Sequence, residues 1–157
     1  AYQQGWQWRP DMIWYDNLRM FKTVSYYVQQ LYAQNKGTNV LTLLMDKKPV
    51  AGQEGQDGLF ASSVFDKTTN EVIVKVINTS KQPQPVTLNL QGIKGGDRTA
   101  ETITLSWNGS MDDENTLDQP ERITPKAGTF QCVAAKKTLV ISDQLPPMSF
   151  RLYKVKK

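Results

Sequence analysis

Histidine is absent from all 157 positions of the chain. That absence removes Ser-His and Cys-His nucleophile activation, His-ligated zinc and imidazole acid–base work together. Cysteine occurs once, so no disulfide can close within the chain. Its setting, Phe130-Gln131-Cys132-Val133-Ala134, reads as that of a buried core thiol. No apolar run approaches the roughly 18 residues that a membrane-crossing helix requires, so no membrane partner is expected. The excess of one charge sign is also small: 19 Lys and Arg against 15 Asp and Glu leave a net charge of +4. The basic residues are scattered as Lys47-Lys48, Lys136-Lys137 and Lys154, Lys156 and Lys157. A nucleic-acid footprint would gather them on one face with aromatic or helical support, so solvated surface is the expectation and nucleic acid is not a partner.

What is present divides into two kinds of sequence. Three of the four Trp and four of the six Tyr fall within the first 27 residues. Beyond Gly37 the chain turns to short alternating strands and polar turns. The chain also does not begin with Met. The expectation is the tail of one domain followed by the whole of another, cut from a longer protein, with residues 1–36 as the first part and 37–157 as the second.

In the first part, residues 1–22 read as extended or looped, since Pro10 disfavours helix at Arg9. Thr23 is a fitting N-cap. Val24, Tyr27, Val28 and Leu31 then share one helical face, which predicts a helix over 24–35 stopped by Gly37. In the second part, apolar runs predict strands over 40–45, 59–65, 71–78, 86–91, 102–107, 122–124, 129–135, 139–142 and 149–155. The run 71–78 is the clearest. Val72, Val74 and Val76 take one face and Ile73, Lys75 and Ile77 the other, as in a central strand covered on both sides. About nine short strands with turn signals between them predict a mainly β fold, an antiparallel sandwich of jelly-roll type with one N-terminal helix.

Chemistry-bearing clusters are few. Glycoside hydrolysis needs two facing carboxyl groups, one of raised pKa. Most carboxylates here fall in expected turns, among them Asp46, Asp66, Asp97 and Asp143, so no catalytic residue is assigned. Asp112-Asp113-Glu114-Asn115 is the densest acidic cluster, but it lacks the alternating spacing of a calcium loop and reads as a solvated loop; no metal and no cofactor are expected. Asn78 and Asn108 each open an Asn-x-Ser/Thr acceptor pattern and both are expected in turns. Trp6, Trp8, Trp14 and Tyr15 could stack on sugar rings, a flat aromatic face matching the C–H face of a sugar, but packing is the commoner use of such rings.

Several runs resemble a known family. Trp6, Trp8 and Pro10-Asp11-Met12-Ile13-Trp14-Tyr15-Asp16-Asn17 resemble the segment closing the catalytic barrel of α-L-arabinofuranosidases, glycoside hydrolase family 51. Thr23-Val24-Ser25-Tyr26-Tyr27-Val28-Gln29-Gln30-Leu31 resembles the helix that follows it, with Lys22 and Val24 where the family has Gly and Pro. Glu114-Asn115-Thr116, Asp118, Pro120, Ile123-Thr124-Pro125 and Leu145-Pro146-Pro147 with Ser149 resemble that family's C-terminal domain. The resemblance implies a parent enzyme with a (β/α)8 barrel and a β-sandwich packed on it. That parent removes terminal α-L-arabinofuranosyl groups from hemicellulose or pectin with retention, using two glutamates upstream of Ala1. It favours a periplasmic or secreted setting for the parent. It makes the barrel and an arabinose-containing polysaccharide the implied partners, with a homo-oligomer as a further one, and makes Trp6, Trp8 and Trp14 substrate contacts only in the intact enzyme. The isolated chain is expected to hydrolyse nothing. The rival expectations are a non-catalytic carbohydrate-binding module, which needs a planar row of exposed aromatics on the sandwich, and an oligomerisation domain.

Overall fold

A computed structural model describes residues 11–50, 58–93 and 95–157. Two short strands open them, β1 (Ile13–Tyr15) and β2 (Met20–Lys22), followed by the helix α1 (Val24–Gln34). Two short pieces follow, β3 (Asn39–Val40) and the ribbon of β4 (Leu44–Met45) with β5 (Lys48–Pro49). The long strands are β6 (Leu59–Asp66), β7 (Glu71–Asn78), β8 (Gln84–Gln91), β9 (Arg98–Ser106), β10 (Lys126–Ala135), β11 (Thr138–Leu145) and β12 (Ser149–Lys156).

Eight strands join in the order β3-β6-β7-β12-β9-β10-β11-β8, every pairing antiparallel. The corner is β10. Its residues 126–132 pair with β9, and Val133–Ala135 pair with β11. One long strand thereby passes from one layer to the other, which is how a single sheet curls into a sandwich. Val72, Val74 and Val76 of β7, with Tyr153 and Val155 of β12, pack against Val86, Leu139, Ile141 and Leu145 of β8 and β11. Cys132 lies in this core, and burial pushes its thiol pKa up.

The opposite face of the large layer is covered by the helix. Val24, Tyr27, Val28 and Leu31 meet Ile77, Ile103, Leu105, Phe150 and Leu152. The Thr23 hydroxyl oxygen accepts from the Tyr26 N–H at 3.3 Å and caps the first turn. At the other end the Asn35 amide donates to the Leu31 carbonyl at 2.8 Å. The Lys75 ammonium, buried on β7, donates to the Asn35 carbonyl at 2.6 Å and lies 5.1 Å from the centre of the Tyr32 ring. Burial holds the Lys75 pKa below the usual lysine value. The negative end of the helix dipole and the aromatic face partly offset that desolvation. Gly37 then turns the chain at φ +65°, where a Cβ would come within 2.7 Å of Val64 Cγ2, so both the dihedral and the contact require glycine.

Three expectations need correction. The run 40–45 is not one strand but the ends of β3 and β4. Arg122–Thr124 forms no strand, because the Asn115 side chain takes both backbone polar groups of Ile123. With those groups satisfied, no ladder is needed there. Asn78 is not in a turn: it ends β7, is buried, and gives its amide protons to the Gln82 and Pro146 carbonyls. Its amide oxygen accepts from the Ser80 N–H at 3.0 Å.

Candidate functional site

The segment of unassigned use is the β1–β2 hairpin together with the loop after β9 that grips it. Asp16 folds the hairpin turn: its carboxylate accepts from the N–H groups of Leu18 at 2.8 Å and Arg19 at 2.6 Å. Those bonds hold the Asp16 pKa below the usual carboxylate value. The pairings Ile13↔Lys22, Trp14↔Phe21 and Tyr15↔Met20 put Trp14 and Phe21 on one face, with ring centroids 6.0 Å apart and planes 17° from parallel. The other face is apolar and open: Ile13 is 42%, Tyr15 61% and Met20 51% exposed, and Leu18 at the turn is 94% exposed.

The loop at 107–125 holds this hairpin at two points. Asn115, 1% exposed, donates to the Lys22 carbonyl at 2.8 Å and the Ile123 carbonyl at 2.9 Å, and accepts from the Ile123 N–H at 2.7 Å. Farther out, Arg19 bridges Asp16 at 2.9 Å and Asp118 at 2.8 Å. The loop itself is braced by Asp113, which accepts from the Trp107 indole at 2.7 Å and the Ser110 N–H at 2.9 Å, and pairs with Arg122 at 2.8 Å. The Trp107 bond, the Ser110 bond and the Arg122 charge hold the Asp113 carboxyl below the usual range. Arg122 also stacks 5.0 Å above the Trp107 ring. Two members of the acidic cluster are thus structural links: Asp113 braces the loop, and Asn115 joins it to the hairpin.

Two clefts flank the site. A small one of about 220 Å³ is lined by Trp14, Asp11, Thr23, Ser25, Asp113 and Glu114. A larger one of about 380 Å³, mainly apolar, opens between α1 and the loop and is lined by Val24, Val28, Leu105, Trp107, Met111 and Phe150. Of the predicted sugar contacts, Trp14 is half-buried in the first cleft; Trp6 and Trp8 lie outside the described residues. The carboxylates with a resolved shift, Asp16, Asp66, Glu71 and Asp113, are all held below their usual values. A general acid for glycoside cleavage needs the opposite shift.

A depressed carboxylate pKa contributes stability that is present above the unfolded-state value and is lost as pH falls through the folded one. The hairpin and loop should therefore loosen first in acid. A melting temperature that falls steadily below pH ~4, with early loss of amide protection at Leu18, Arg19 and Ser110, is the expected outcome. A flat profile down to pH ~2 would contradict it.

Two carboxylates expected in turns fall in strands: Asp66 is the last residue of β6, and Asp143 lies within β11. Asp143 is not in a turn but on the inner face of β11, where it pairs with Arg151 and accepts from the Tyr153 hydroxyl. Arg151 Nε donates to Thr104 at 2.8 Å. Burial first, and then Asp143, drive the Tyr153 pKa well above the usual tyrosine value.

The family model for the α-L-arabinofuranosidase C-terminal domain matches residues 3–149. The chain belongs to that family. Among relatives, α-L-arabinofuranosidase 1 of Arabidopsis thaliana is 25% identical over 153 residues, covering 92% of this chain and 20% of the plant protein. α-L-Arabinofuranosidase A of Aspergillus niger is 30% identical over 130 residues, covering 79% of this chain and 19% of the fungal one. An arabinose-bound GH51 α-L-arabinofuranosidase superposes with a TM-score of 0.71 at 25% identity, over 96% of this chain and 22% of that one. The Thermotoga maritima α-L-arabinofuranosidase in its arabinose complex shares the fold, with a TM-score of 0.67 at 15% identity over 92% of this chain and 31% of that one. The domain thus spans about a fifth of the length of the curated relatives it matches. Of the residues that carried the resemblance, Asn115 and Asp118 touch the hairpin, and Ile123 holds the Asn115 side chain.

Proposed function

We propose that this chain is the accessory part of an α-L-arabinofuranosidase that removes terminal non-reducing α-L-arabinofuranosyl groups from hemicellulose or pectin. Residues 1–36 are the last loop and helix of its catalytic barrel, and 37–157 are the sandwich. Two glutamates upstream of Ala1 carry out the retaining cleavage. The role of the sandwich is to hold the end of the barrel in place. The observation that carries this reading is the clasp: a sandwich loop binds the hairpin through Asn115 and Asp118 and leaves its apolar face open. The hairpin and α1 precede the eight-stranded sheet and contribute no strand to it, while α1 stays packed on its face through Leu31. In the same reading Trp14, and with it Trp6 and Trp8, meets sugar only in the intact enzyme.

The test compares the chain with its longer parent. Each apolar side chain of the hairpin face contributes about 1.5–3 kcal/mol if the barrel covers it. Leu18→Glu with Met20→Glu should therefore lower the melting temperature and the activity of the parent, yet change the isolated chain by only about 0.5 kcal/mol. Equal effects on both would overturn the docking. Release of arabinose from an aryl arabinofuranoside by the purified isolated chain would overturn the assignment of catalysis elsewhere. A carbohydrate-binding module has less support: Tyr153 is fully buried, and the Trp107 indole is committed to Asp113. Those two rings cannot form a solvent-facing platform.

A further inference from the structure

We propose that Asn108-Gly109 is a site of spontaneous deamidation, and that isoaspartate formed there releases the Trp107–Asp113 brace beside it. The loop after β9 brings together the conditions for the reaction. Asn108 is exposed and lies outside helix and strand. Neither its side chain nor the Gly109 N–H makes a hydrogen bond among the described residues. Glycine at the next position leaves that nitrogen unshielded by any Cβ.

The other asparagines lack one condition or another. Asn35, Asn78 and Asn115 are buried, and their amides are bonded. Asn17, Asn39, Asn70 and Asn89 are exposed, but Leu18, Val40, Glu71 and Leu90 follow them, each with a side chain that crowds the attacking nitrogen.

The reaction needs only water. The Gly109 nitrogen gives its proton to solvent base and bonds to Asn108 Cγ. The Cγ–Nδ2 bond breaks, and the amide leaves as ammonia after taking a proton from water. The resulting five-membered succinimide is opened by water at either carbonyl. Opening at the backbone carbonyl gives isoaspartate, with the main chain now running through the former side-chain methylene; opening at the other gives aspartate. The net change is one water consumed and one ammonia released, with no redox step.

The consequence follows from where Gly109 sits. A Cβ built on it would collide with Asp113 Oδ2 and Trp107 Nε1, so its backbone rests directly on the brace. Isoaspartate lengthens the main chain at that point and sets a new carboxylate near that of Asp113. Contact and charge both then act against the Trp107–Asp113 bond.

The experiment ages the whole folded chain in mildly alkaline buffer and maps its peptides by mass spectrometry, beside the same chain carrying Asn108→Gln. The expected result is an amide-to-acid mass change in the Asn108 peptide, isoaspartate exceeding aspartate, and unchanged Asn78 and Asn115 peptides. Ser110 amide exchange should be several-fold faster in the aged chain than in the aged Asn108→Gln chain. An Asn108 peptide that stays intact in the folded chain while the excised peptide converts would overturn the site. Conversion with unchanged Ser110 exchange would overturn the effect on the brace.

Discussion

Replacing Asn115 by Ala should lower the stability of the chain by about 3–5 kcal/mol, the largest effect expected of any single polar substitution outside the sandwich core. Three backbone groups lose their partner together: the carbonyls of Lys22 and Ile123 and the N–H of Ile123. Two of those bonds are buried, and a buried polar group left unpaired costs about 1–3 kcal/mol. For a chain of this size the drop corresponds to roughly 10 °C in melting temperature. Asn115→Asp should do no better. It keeps the bond from the Ile123 N–H but sets a carboxylate against two carbonyl oxygens. Amide exchange separates this from a general loss of stability, since protection should fall most at Ile123 and along β1–β2. A shift of under about 2 °C with the hairpin still protected would mean that the clasp is not held by Asn115.

The second large effect lies inside the sandwich. Asp143→Ala leaves the Arg151 guanidinium and the Tyr153 hydroxyl without their shared acceptor, with side chains 16% and 7% exposed for Arg151 and Asp143. Removing one partner of a buried ion pair costs about 3–5 kcal/mol. The same physics predicts recovery: on a Tyr153→Phe background, which has no hydroxyl to strand, Asp143→Leu combined with Arg151→Met removes both charges and should restore most of the loss, because neither ion then has to be desolvated. Tyr153→Phe should cost only about 1 kcal/mol, the worth of one hydrogen bond. Urea unfolding of Asp143→Leu, Arg151→Met and their double on that background forms a closed cycle. If the double variant costs the sum of the singles, the pair is not coupled and this reading of the cluster fails.

How far the sequence anticipated this structure differs from element to element. The helix was legible because Thr23 and the apolar face at 24, 27, 28 and 31 are local signals that agree with its packing partner. β7 was legible because apolar residues on both faces have only one good use, a covered central strand. The family resemblance pointed at residues 114–125 without saying what they do. Asn115 carries no local mark of its role, since its partners are one residue 93 positions earlier and another 8 positions later. Asp143 was misread for a related reason: a carboxylate in a short polar run resembles a turn until β12 places Arg151 against it.

Composition alone excluded histidine chemistry and an internal disulfide within this chain, because folding can supply neither a histidine nor a second cysteine. Hydrophobic period with local cap and turn signals pointed to the mainly β fold and the helix at 24–34, because side-chain direction alternates within a strand and recurs within a helix turn regardless of distant contacts. Only the tertiary structure decided that β10 carries the chain between the two layers, that a loop between β9 and β10 grips the hairpin, and that Lys75 and Asp143 are buried beside partners. Each of these depends on residues far apart in the chain meeting in one low-dielectric place, where burial makes an unpaired polar group costly enough to select its partner.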